Sequence, residues 1–143
     1  VAREITDNIW SPTTGRMKEE EKGMDINHLP WVLWVDWIYE LSKHKYGVQL
    51  GTAAAGTFNL NCAYLGIPCV GYNNVNTQRC HPDLSVDVGD VERAKILMKK
   101  LKEDTDFYSE CSKTAIQKYN ECFDEKVYIY TMKKVIQKVM SND

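Results

Sequence analysis

The chain contains no apolar run approaching the roughly 20 residues that a membrane-spanning helix needs. Its opening stretch, VAREITDNIW, lacks the basic and apolar regions of a secretory signal peptide. Neither charge dominates: 18 Lys and Arg against 20 Asp and Glu leave a net charge of −2, which gives no support to a nucleic-acid partner. The Cys80-His81 pair has no second ligand pair at zinc spacing, so no metal is expected. The strict Gly-x-Gly-x-x-Gly dinucleotide fingerprint is missing, and there is no internal repeat or low-complexity segment. What remains is ordinary: 143 residues, 43% hydrophobic and 27% charged, which suits one soluble globular domain over 1–143. Five cysteines, at 62, 69, 80, 111 and 122, are odd in number and widely spaced. They suit reduced thiols in a cytoplasmic protein, with no structural disulfide. The first residue is not Met, which suggests processing or a fragment.

The stretch YGVQLGTAAAGTFNLNCAYLGIPCVGY, residues 46–72, organises the rest. Tyr46 to Leu50 reads as a strand, and the turn from Gly51 to Thr57 has no bulky side chain. A helix from Thr57 to about Leu65 is apolar nearly all round, so it should be buried against a sheet. Gly66 caps its C-terminus, Pro68 stops it from resuming, and Cys69-Val70 begin the next strand. A bare turn opening a helix leaves the first helical N–H groups unscreened, with the positive end of the dipole behind them. A phosphate or carboxylate can be held there without a charged side chain. The same turn is equally explained by close packing of helix and strand in an ordinary βαβ unit.

Around this unit, Val1–Thr6 reads as a helix tail, and Asn8–Trp10 and Ile26–Leu29 as short strands. Trp34, Trp37, Ile38 and Leu41 form one helical face expected on the sheet. NNVNTQRCHPD, after the strand ending near Tyr72, is a polar loop without periodicity, expected to be mobile or built around a ligand. Leu84–Val86 is a further strand, and Asp90 caps a helix burying Val91, Ala94, Leu97, Met98 and Leu101. Another helix from Thr105 turns Tyr108, Cys111, Ala115, Tyr119 and Cys122 inward. Asp124 caps a last one, in which Tyr128, Met132, Val135 and Val139 repeat at four, three and four.

The residues AAAGTFNLNCAYLGIPCVGY resemble the C-terminal domain of retaining GT-B glycosyltransferases, family-4-like, whose turn and helix hold the donor nucleotide sugar. Gly56 falls on the family's turn glycine, Leu60 on the apolar residue before the second glutamate, and Gly66 with Pro68 on its G-x-P. LSVDVGDVERAKILMKKL resembles the strand and Asp-capped helix that follow, and the likeness spans about residues 24–140. The two glutamates of the family's E-x7-E fall on Ala53 and Asn61, so the acidic donor-sugar contacts are not carried over.

The resemblance implies an α/β fold: a Rossmann-like parallel sheet with helices on both faces and two C-terminal helices. The implied function is the donor half of a nucleotide-sugar-dependent glycosyltransferase, with the acceptor-binding N-terminal domain missing and the isolated chain inactive. In that fold the final helix crosses back to the N-terminal domain, so a face built for it would be exposed here. Ala55, Gly56, Thr57 and Asn61 are the residues expected at the diphosphate and sugar, with Arg16, Gln78 and Arg79 as additional contacts. Gln78 lies near a family position that is often acidic, while the spacing from Arg16 to Lys22 is one residue longer than in the family's phosphate clamp. Asn61 can share hydrogen bonds with a sugar hydroxyl or with nearby backbone, but cannot act as a base. No catalytic residue is assigned, and neither metal nor cofactor is implied beyond the nucleotide sugar as substrate. A nucleotide-sugar epimerase of the same fold and a non-catalytic, flavodoxin-like partner module remain the alternatives.

Overall fold

A computed structural model describes residues 1–11, 22–51 and 57–141 of the chain. The architecture is mixed α/β, with parallel strands in two small sheets. Strands β1 (Trp10–Ser11) and β2 (Asn27–His28) pair in parallel, Trp10 opposite Asn27. Asn8 Oδ1 accepts from Trp10 Nε1 at 2.9 Å and from Asn27 Nδ2 at 3.2 Å, which fastens this short pair at its entry. The helix tail expected over Val1–Thr6 is instead a single 3-10 turn, Ala2–Glu4. It is held from elsewhere: Lys102 Nζ donates to the carbonyl of Ile5 at 2.8 Å, and Lys99 pairs with Glu4 at 3.0 Å.

The second sheet carries the organising unit. Strand β3 (Gly47–Gln49), helix α2 (Phe58–Tyr64) and strand β4 (Cys69–Tyr72) follow helix α1 (Trp34–Leu41), and β5 (Ser85–Val86) completes the order β3-β4-β5. All pairs are parallel, with Gly47 opposite Cys69, Gln49 opposite Gly71, and Tyr72 opposite Val86. Two 3-10 turns, Asn76–Cys80 and Pro82–Leu84, bridge β4 to β5. Helices α3 (Val91–Glu103), α4 (Thr105–Cys122) and α5 (Glu125–Met140) finish the chain.

Every residue of β4 is buried, as a strand covered on both faces requires. Side chains alternate across a strand. Val70 and Tyr72 therefore enter one core with Leu84, Val86, Ala94, Leu97, Met98 and Leu101, beneath α3. Cys69 enters another with Leu41, Cys62 and Ile67, beneath α1 and α2. Helices thus lie on both faces of the three-stranded sheet. Each fully buried Leu or Met contributes about 1.5–3 kcal/mol relative to exposure.

Local chemistry sets the helix ends. Asp90, Asp104 and Asp124 each accept one first-turn N–H, from Arg93, Phe107 and Lys126 respectively, all at 2.9 Å. Gly66 closes α2 with φ +68°, its N–H reaching Ala63 O at 3.1 Å and that of Ile67 reaching Cys62 O at 2.8 Å. This is the Schellman pairing, and it uses the left-handed residue that glycine supplies without strain.

Two expectations about buried faces change. Trp34 is 66% exposed, so the α1 face on the core is Leu41 with the half-buried Trp37 and Ile38. Only the last turn of this helix carries a buried residue, Leu41. Val91 at the start of α3 is also exposed, while Ala94, Leu97, Met98 and Leu101 are buried as expected. No residue of α5 is buried, and its Tyr128, Met132, Val135 and Val139 all face solvent, because no described element covers that stripe.

Candidate functional site

The unit β3–α2–β4 places the start of α2 beyond the carboxyl end of β3, and the segment after β4 beyond the carboxyl end of its neighbour. Ligands in parallel α/β sheets bind at this edge. Ala55 and Gly56, and the more distant Arg16, lie outside the described residues. Thr57 is exposed and stands at the N-cap of α2, but its hydroxyl caps none of the helix's first N–H groups. Helices α3, α4 and α5 all have that need met by an aspartate. Asn61 is half-buried one turn further on, its N–H donating to Thr57 O at 2.9 Å, so both side chains lie on one side of the helix.

The segment after β4 is neither open nor polar on all sides. Val75, Gln78, Cys80 and His81 are buried, and the two 3-10 turns wrap the chain around them. Gln78 Nε2 donates to Cys69 O at 3.0 Å and to Leu84 O at 3.2 Å, while its Oε1 accepts from Asn59 Nδ2. Strand β5 begins only at Ser85, opposite Gly71, so the glutamine amide joins the two chains where the ladder has not yet started. Its hydrogen-bonding groups are used inside the protein, against Asn59 and backbone. Gly71 makes this fit, since a β-carbon there would overlap the Gln78 amide.

His81 completes the buried group. Its Nε2 lies 3.0 Å from Asn59 O. A carbonyl only accepts, so Nε2 carries the hydrogen and Nδ1 is the bare nitrogen. Burial holds this imidazole below the usual histidine range, the bond to Asn59 opposing in part. Asn59 Oδ1 and His81 Nδ1 have no hydrogen-bond partner among the described residues.

The additional contacts expected at the site therefore separate. Gln78 is joined to Asn59 rather than to Thr57 or Asn61, and Arg79 lays its guanidinium over the ring of Phe123, 4.5 Å from the centroid, at the end of α4. Sequence reasoning passed over Asn59 and weighed His81 only as a metal ligand. A signal was available for the first: an asparagine inside the apolar run of FNLNCAY needs a buried partner.

Among the described residues, no group of three or more His, Cys, Asp or Glu could hold a metal ion, and no helix is long and apolar enough to cross a membrane. No family model, curated protein or solved structure matches the chain.

Proposed function

We propose that the chain is the donor-binding domain of a nucleotide-sugar-dependent glycosyltransferase of GT-B type. One observation carries the reading: a parallel β3–α2–β4 unit whose helix opens at an exposed, uncapped Thr57, with Asn61 one turn behind it. In this reading the diphosphate rests on the N–H groups that follow Ala55 and Gly56, with Thr57 Oγ as a further contact and Asn61 toward the sugar. Cleavage of the bond from sugar to diphosphate builds negative charge on the leaving group. Fixed N–H donors are suited to stabilise it, and no metal is needed for that. An acceptor-binding domain completes the enzyme, and the exposed stripe of α5 suits packing against it. Five free thiols suit a reducing compartment, which supports a cytoplasmic location.

The test is titration of the chain with uridine, guanosine and adenosine diphosphates by calorimetry or ligand-observed NMR, alongside Gly56→Val. The wild type binds one of the three, and the variant keeps its melting temperature but loses binding, since two methyl groups cover the N–H donors. Silence across the panel at millimolar concentration rejects the reading. A stable Gly56→Val that binds normally removes Gly56 from the site.

A further inference from the structure

At the amino end of the sheet, away from the turn that opens α2, two buried sulfurs meet beside a glycine. Gly47 and Cys69 stand opposite one another in the β3–β4 register, and Gly47 N–H donates to Pro68 O at 2.9 Å. A β-carbon on Gly47 would lie 3.0 Å from Cys62 Sγ and 3.0 Å from Cys69 Sγ. Two atoms that close to one point are at most about 6 Å apart, and any side chain at residue 47 would press on both. Both sulfurs are fully buried, in one cluster with Leu41 and Ile67. The Schellman turn at Gly66 brings Cys62 O to Ile67 N, so the chain between the cysteines is already folded back on itself. Burial, and then the neighbouring Cys62 sulfur, push the Cys69 thiol well up.

We propose that Cys62 and Cys69 are an oxidative cross-linking site, a dithiol that a peroxide converts into a disulfide stapling the last turn of α2 to β4. The Cys62 sulfur attacks one oxygen of hydrogen peroxide, the O–O bond breaks, and water leaves as the sulfenic acid forms. The Cys69 sulfur then attacks that sulfenic sulfur, forming the S–S bond and releasing a second water, so two thiols are oxidised and one peroxide is reduced. Burial makes the first step slow, because the thiol has to be exposed by opening of the turn around Gly66. Closing so short a loop constrains the unfolded chain, so the oxidised form is the more stable.

The experiment incubates the reduced chain with hydrogen peroxide for many opening lifetimes, blocks free thiols in denaturant, and maps peptides by mass spectrometry. The expected product is a Cys62–Cys69 linkage lighter by two hydrogens, formed more slowly than oxidation of the partly exposed Cys122. Cys62→Ser and Cys69→Ser each abolish it, and the oxidised wild type melts several degrees higher than the same sample after dithiothreitol. Both cysteines still free after Cys122 is oxidised, either one linked to another cysteine, or a cross-linked form melting below the reduced one would each overturn the proposal. This readout uses no nucleotide.

Discussion

Gly71 and Gln78 share one space. A β-carbon on Gly71 would lie 2.8 Å from Gln78 Cδ, closer still to Oε1, and 3.0 Å from the carbonyl oxygen of Gln49. Gln78 lies across β4 so that one amide can satisfy two carbonyls and accept from Asn59, and only a residue without a side chain leaves room for it.

Gly71→Ala should therefore destabilise the protein by about 1–3 kcal/mol through overpacking. Gln78→Ala should cost about 1–3 kcal/mol or more, because Cys69 O, Leu84 O and Asn59 Nδ2 lose a buried partner. The double variant should cost less than the two together, since the shorter side chain removes most of the clash. Urea titrations of the four proteins measure the coupling, and strict additivity would show that the two residues do not compete for this space.

Acid should weaken the fold in part through His81. Burial lowers its folded pKa below the ordinary value of 6.5. Above that value the imidazole is neutral in both states, and its contribution to stability is fully present. As pH falls below 6.5, the unfolded chain takes up a proton that the folded one refuses, so stability declines until the folded pKa is passed. His81→Gln keeps a donor for Asn59 O without titrating, and its stability should fall less between pH 7 and 5. His44, also lowered mainly by burial, leaves a residual slope of the same sign. Identical pH profiles for the two proteins would contradict a buried neutral His81.

Gly66→Ala tests the C-terminal end of α2. The residue has φ +68°, and a β-carbon there would stand 2.9 Å from Ile116 Cδ1. Left-handed backbone costs a non-glycine residue about 1–2 kcal/mol, and the displaced isoleucine adds to it. The melting temperature should drop by several degrees while nucleoside diphosphate binding stays at the wild-type level, because the candidate site lies at the other end of the helix. A lost affinity with an unchanged melting temperature would sink the separation of these two roles.

Much of the frame was legible in the residues. Cys69-Val70 read as the start of a strand, Asp90 and Asp124 as caps, Gly66 and Pro68 as the end of a helix, and each stands where it was expected. These signals are local: a cap, a left-handed glycine or an apolar run acts within a few residues of its own position, so sequence neighbours suffice to specify it.

Tertiary structure alone decided the fate of the polar segment after Tyr72 and of the amphipathic faces. NNVNTQRCHPD has the composition of a solvated loop, yet Gln78 and His81 are buried because Asn59 arrives from α2 to bond both, while the flanking backbone at Cys69 and Leu84 takes the Gln78 amide. Burial of a polar group depends on partners the chain brings from afar, and no pattern along the segment records them. Likewise the repeats of Trp34 and of Tyr128 to Val139 show that a face is apolar, but exposure depends on whether another element lies across it. The first face ends buried at Leu41, whereas none of the described elements lies across the second.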